Sequence, residues 1–135
     1  MFFLDTNIVI GIITARAMHL VDRLKSELKR GTPLAIPVPV LFELRYGAAK
    51  SSHPARNHCR LDDFLLATPD IIPFDADDAA EAGDIRAALE SAGRPIGPYD
   101  VLIAAQARRR GAALVTANGR EFQRIPGLIV TDWTA

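Results

Sequence analysis

Acidic side chains stand in this chain where short apolar runs stop. Phe2, Phe3 and Leu4 lead directly into Asp5, Thr6 and Asn7. If residues 2–4 form a buried strand, Asp5 sits at its C-terminal end, where open α/β sheets gather their ligands. Glu43 lies between Phe42 and Leu44 in an apolar helical pattern, three residues after Val40 and four before Gly47. A carboxylate on such a face needs a cation, because burying it unpaired is costly. Arg45 points elsewhere on a helix at that spacing. Asp100 follows Pro98 by two residues, and Glu121 follows the turn at Asn118 and Gly119. Each of the last two has an ordinary explanation alone: Asp100 suits the positive end of a helix, and Glu121 suits a cap on a short helical turn. Together Asp5, Glu43, Asp100, Asn118 and Glu121 offer only oxygen donors, the set preferred by hard cations such as Mg²⁺ or Mn²⁺. His19, His53 and His58 show no HExxH spacing, which disfavours a zinc hydrolase. Cys59 is the single cysteine, so there is no internal disulfide and no CxxC zinc pattern.

The elements that must position these residues are legible as an alternation of short apolar runs and helical periods. Residues 2–4, 34–36, 71–74, 113–115 and 128–130 read as strands, with Pro73 demoting the third towards an edge or a strand end. Ile8 to Ile13 reads as a short helix. Leu20, Val21, Leu24 and Leu28 mark one face of a longer helix, with Asp22, Arg23, Lys25, Glu27 and Lys29 on its other side. Gly31, Thr32 and Pro33 break that helix. Val40, Leu41, Leu44 and Ala48 return to helical spacing, with Pro39 tolerable only at the helix start. A helix from Pro54 carries Leu61, Phe64 and Leu65 inward. Asp75 or Asp77 caps an alanine-rich helix that runs to about Ala92 and stops at Gly93, and Pro98 opens another that reaches Arg110. Strands alternating with helices predict an α/β three-layer sandwich, a mostly parallel sheet flanked by helices. Right-handed crossovers then collect the loops after each strand on one edge. Asp5 and Thr116 to Asn118 belong to that edge, with Glu43 and Asp100 in the first turns of neighbouring helices.

Length and composition fit this frame. The chain has 135 residues, 49% of them hydrophobic and 24% charged, the composition of one globular domain spanning 1–135. Ile8 to Ala15 is largely apolar and is followed by a mimic of a cleavage site, but Asp5 precedes it where a signal peptide carries positive charge. No run approaches the ~18 apolar residues of a membrane span. A cytoplasmic protein without membrane contact is expected. Net charge is zero, which excludes a wholesale positive field. The basic residues are nevertheless mostly arginine, a planar fork suited to phosphate. Arg108, Arg109 and Arg110 end a predicted helix, where cations favour its dipole. Arg120 and Arg124 lie one helical turn apart, a spacing open equally to a phosphate contact and to an exposed helix face.

Four segments carry a family resemblance: Leu-Asp-Thr-Asn at 4–7, Phe-Glu-Leu-Arg-Tyr-Gly at 42–47, Pro-Ile-Gly-Pro-Tyr-Asp-Val-Leu-Ile-Ala-Ala-Gln-Ala at 95–107, and Thr-Ala-Asn-Gly-Arg-Glu-Phe-Gln-Arg-Ile-Pro-Gly-Leu at 116–128. In this order they resemble PIN-domain proteins, and more narrowly the VapC toxins of bacterial toxin–antitoxin pairs. The resemblance covers nearly the whole chain, Asp132 and Trp133 included. It implies a PIN-like nuclease domain, a Mg²⁺- or Mn²⁺-dependent endoribonuclease toxin, and inhibition by a VapB-type antitoxin. A homodimer or a toxin–antitoxin hetero-oligomer would be usual. Asp5, Glu43 and Asp100 match the family's core acidic set. The fourth position falls on Asn118 or on Glu121, and both stay open. Thr6, Asn7 and Thr116 match polar positions beside the site.

In this reading Asp5 and Asp100 hold metal directly, Glu43 does so directly or through water, and Asn118 or Glu121 orients a second metal or the attacking water. Thr6, Asn7 and Thr116 act as supporting donors. Structured RNA such as tRNA or rRNA is the expected target. The amphipathic helix from His19 to Arg30 is a candidate antitoxin contact, against ordinary packing of Leu20, Leu24 and Leu28 on the sheet. Two other classes compete. A phosphoaspartyl enzyme also uses an Asp after the first strand, but Asn7 replaces the second Asp of its loop. A catalytically silent PIN-like module would bind metal or RNA without cutting.

Overall fold

Three-residue apolar runs cannot bury themselves as hairpins, and in this chain they pair side by side in one parallel sheet. The computed structural model describes residues 1–67 and 69–134. Thr68 and Ala135, which the expected domain 1–135 includes, lie outside the described residues. The strands are β1 (Phe2–Leu4), β2 (Leu34–Pro37), β3 (Asp70–Ile72), β4 (Ala113–Val115) and β5 (Ile129–Thr131). The helices between them are α1 (Thr6–Ile13), α2 (Met18–Lys29), α3 (Val38–Lys50), α4 (Pro54–Ala67), α5 (Ala76–Ser91), α6 (Pro98–Arg109) and α7 (Gly119–Phe122). The order across the sheet is β3-β2-β1-β4-β5, and every adjacent pair is parallel. Among the described residues the expected mostly parallel sheet is therefore wholly parallel and flanked by seven helices, an α/β sandwich.

That order decides where a site can form. From β1 the chain moves one way to β2 and β3, then returns past β1 to β4 and β5. Right-handed crossovers then place α1 to α4 on one face and α5 to α7 on the other. The reversal opens a crevice between the C-terminal ends of β1 and β4. Asp5 and Thr116 are the first residues past those ends, and the Asp5 N–H donates to Val115 O at 3.0 Å, extending the β1–β4 ladder by one step.

Central strands are covered on both faces and edges are not. Phe3, Leu4, Ala35, Ile36, Leu114 and Val115 are buried, whereas Ile71 in β3 and Ile129 in β5 are exposed. Pro73 lies just past β3, at the edge where a missing donor costs nothing. Ile8, Val9 and Ile12 of α1 and Ile103, Ala104, Ala105 and Ala107 of α6 complete the core. α5 begins in a reciprocal capping box, Asp75 with Asp78, and stops where Gly93 turns at a φ of 69°. Among the described residues no helix is long and apolar enough to cross a membrane.

Two expectations are corrected. Glu27 does not face solvent with the other charges of α2. It is 3% exposed and accepts from Thr32 Oγ1 at 2.7 Å and Arg23 Nε at 3.1 Å, while Leu28 on the expected apolar face is 39% exposed. The helix is rotated so that this carboxylate ties the Thr32 loop down. The arginine run is also not a free cationic end. Arg108 pairs with Glu81, and Arg109 and Arg110 converge on the fully buried Asp78. These cations are consumed in locking α6 to α5.

Candidate active site

Asp5 is held by both oxygens. As the residue before α1 it accepts from the Thr6 N–H at 2.8 Å, a helix cap, and it accepts from Thr116 Oγ1 at 2.8 Å across the β1–β4 crevice. Its carboxylate is fixed in direction by two elements distant in sequence. Burial raises its pKa, and the Thr116 and Thr6 hydrogen bonds oppose that shift. Thr116 is itself fully buried and accepts from the Asn118 N–H at 2.9 Å, so the loop after β4 is folded round this contact.

Glu43 enters from α3. Pro39 falls in the first turn of this helix, where its missing donor is harmless, and Val40 and Leu44 anchor the buried stripe. Glu43 is thereby turned towards α1, where it accepts from Thr6 Oγ1 at 2.9 Å. Thr6 thus serves Asp5 through its backbone and Glu43 through its hydroxyl. Arg45 points away, as its spacing predicts, to His58 and Asp62 of α4.

Asp100 and Glu121 close the group. Burial pushes the Asp100 pKa up to about 6, and the negative charges of Asp5, Glu121 and Glu43, with a hydrogen bond to Glu121, push the same way. Glu121 accepts from Asn118 Nδ2 at 3.0 Å, so Asn118 braces the residue with which it competed for the fourth position. Asn7 is exposed at the start of α1. The structure therefore gathers Asp5, Thr6, Glu43, Asp100, Thr116, Asn118 and Glu121 at the sheet's C-terminal edge. Among the described residues no three acidic, His or Cys side chains are drawn together as a ready set of metal ligands. The carboxylates are near enough for the charges of Asp5, Glu121 and Glu43 to bear on Asp100.

Arg120 is exposed on α7. Arg124 is half-buried, and its Nη1 donates to Pro95 O at 3.0 Å, which pins the loop leading into α6. Gly97 is a residue whose role the sequence alone did not reveal. Its backbone is ordinary, but a Cβ there would stand 3.3 Å from Asp100 Oδ2. The signal was the glycine immediately before Pro98, which reads as a simple helix start until the carboxylate beside it is seen.

The fold and sequence are shared with known proteins. The chain belongs to the PIN-domain family, whose model matches residues 2–128. Within that family it stands among the VapC ribonucleases. It is 42% identical over 133 residues to the tRNA(fMet)-specific endonuclease VapC of Shigella flexneri, covering 98% of both chains. Its fold superposes with a TM-score of 0.91, at 39% identity and 98% coverage of both chains, on VapBC2 from Rickettsia felis bound to a DNA fragment from its promoter. The DNA-bound VapBC of Salmonella typhimurium matches with a TM-score of 0.89 at 40% identity, covering 98% of this chain and 97% of that one.

Proposed function

We propose that this chain is the toxin of a VapBC pair, a Mg²⁺- or Mn²⁺-dependent endoribonuclease that cuts structured cellular RNA. The observation that carries the reading is the convergence of Asp5, Glu43, Asp100 and Glu121, with Asp100 held at about 6 by burial and by its acidic neighbours. Such a cluster is electrostatically unfavourable by itself. A cation relieves it, and the donor set is all oxygen. Asp5, Glu43 and Asp100 would hold the ion, with Glu121 as the fourth carboxylate and Asn118 as its brace. Bound Mg²⁺ or Mn²⁺ supplies positive charge against phosphate oxygens and acidifies water.

The remaining chemistry belongs to the chain's own groups. Thr116 and the Thr6 N–H orient Asp5, the Thr6 hydroxyl orients Glu43, and Asn118 orients Glu121. A cation held by this group would oppose the burial and the acidic neighbours that raise the Asp100 pKa. Exposed Arg120 can meet RNA phosphate, whereas Arg124 acts first on the Pro95 carbonyl. The first substrate to test is the initiator tRNA, on which the Shigella relative acts by its name.

A VapB-type antitoxin is the proposed partner. On α2, Leu20 and Leu24 are spent on the core, which leaves Met18 and Leu28 as its exposed apolar side chains. The better surface is a groove of about 210 Å³ between α1, α3 and α4, with Ile10, Ile13, Leu44 and Leu61 in its lining and Glu43 at its border. An apolar helix there would sit against the acidic site. The test is cleavage of tRNA by purified protein with Mg²⁺, with EDTA, and as Asp5→Asn. Equal cleavage in all three would defeat the reading; metal binding without cleavage of any RNA would favour the silent module.

A further inference from the structure

Phe42, Tyr46 and Tyr99 are 50%, 58% and 47% exposed, an unusual expense for large rings beside an acidic site. They are contiguous. Phe42 and Tyr46 lie one turn apart on α3, with centroids 6.5 Å apart and planes 13° from parallel. Tyr99 of α6 meets Phe42 at 5.5 Å and 43°. Lys50 Nζ stands 4.8 Å from the Tyr46 ring. Phe42 immediately precedes Glu43, and Tyr99 immediately precedes Asp100. The row of rings therefore runs along the two helices that deliver carboxylates, and it is no part of the buried core.

We propose that Phe42, Tyr46 and Tyr99 form a stacking platform for unpaired bases of the RNA substrate, with Lys50 on an adjoining backbone phosphate. The proposal rests on the endoribonuclease reading. A cluster of carboxylates repels phosphate, so RNA must gain its affinity beside the site. Every base has a π-face, and stacking on aromatic rings holds it without regard to sequence. The occupant favoured is RNA, because a cation borders the rings, the tyrosines carry polar hydroxyls, and the row adjoins the groups that act on phosphate. Bases within a duplex present no face, so the platform selects loops and single strands.

The test uses short single-stranded RNA carrying 2-aminopurine at successive positions, with its duplex form as control. In the cleavage-deficient Asp5→Asn protein, binding should quench the probe at one or two positions in the single strand and at none in the duplex. Phe42→Leu with Tyr99→Leu should abolish the quench. In the cleaving protein the same pair should raise KM on the order of tenfold with little change in kcat. Phe42→Tyr should restore both. Lys50→Gln should lower the salt-dependence slope by about 1. An unchanged quench in the Leu pair overturns the platform. So does a loss of self-association by sedimentation with the quench retained, which assigns the rings to a contact between copies. Wild-type protein that quenches but cuts nothing with Mg²⁺ removes the nuclease reading and leaves the platform; cutting without quenching does the reverse.

Discussion

Asp5 does two jobs with one carboxylate, capping α1 and facing the crevice, and that economy makes the site sensitive to single atoms. Asp5→Asn keeps the shape and one acceptor oxygen but removes charge, as Asp100→Asn does. Each is expected to retain the fold by circular dichroism and to lose cleavage on the order of 100-fold or more. Full activity in either variant would take that residue out of the mechanism. Thr116→Val removes the hydroxyl that aims Asp5. The expected cost is about 10–100-fold in Mg²⁺ affinity, read by titrating activity with metal, and recovery at high Mg²⁺ would mark Thr116 as a positioning residue. Replacing Arg120 by Ala should weaken RNA binding and flatten its salt dependence, while Arg124→Ala should act more on kcat through the Pro95 loop. Equal salt slopes for the two would return both to a common phosphate role.

At the scale of elements, the start of α6 is the delicate part. Gly97 leaves room for Asp100, and Gly97→Ala would require the carboxylate to move by a few tenths of an ångström. The expected outcome is reduced metal-dependent activity with little change in melting temperature. The far end of α6 is rigid by contrast. Burial acts to raise the Asp78 pKa, but hydrogen bonds from Arg110, the Asp75 N–H and Arg109 outweigh it and hold the group at about 2. Asp78→Ala leaves Arg109 with Asp75 and Asp77 and Arg110 with a long contact to Asp75, and should destabilise the fold by about 1.5–3 kcal/mol, measurable by urea unfolding. The surviving folded protein should still cut RNA, since this lock lies outside the carboxylate group.

For the whole molecule, the two acids with the large shifts, Asp78 and Asp100, pull stability in opposite directions with pH. Asp78 has a depressed folded pKa, so its contribution is present above about 4 and is lost as pH falls towards 2. Asp100 has a raised one, so the folded state binds more protons between about 4 and 6, and stability declines as pH rises through that window. Metal-free protein should therefore melt at a higher temperature near pH 5 than near pH 7. Asp100→Asn should shrink that difference, as should Mg²⁺ added at pH 7. A pH-independent melting temperature over this range would show that the acidic cluster carries no such strain.

The sequence by itself determined the alternation of strands and helices, because unbroken apolar runs and helical periods are local patterns that Gly and Pro punctuate. It also supplied Asp5, Glu43 and Asp100, since acids at the ends of apolar segments are visible without coordinates. It misplaced Glu27 and undervalued Asp78, Arg109 and Arg110, because whether a charge on a helix meets solvent or a partner depends on the neighbouring element. It named Thr116 as a supporting donor through the family resemblance but not the carboxylate it serves, and the bracing by Asn118 and the room left by Gly97 were beyond it. Thr116 reaches Asp5 across 111 positions of sequence, and only the β3-β2-β1-β4-β5 order makes those strand ends neighbours. Local pattern decides what an element is. The tertiary fold decides which side chains meet, since hydrogen bonds and charge coupling act over a few ångströms of space and take no account of distance along the chain.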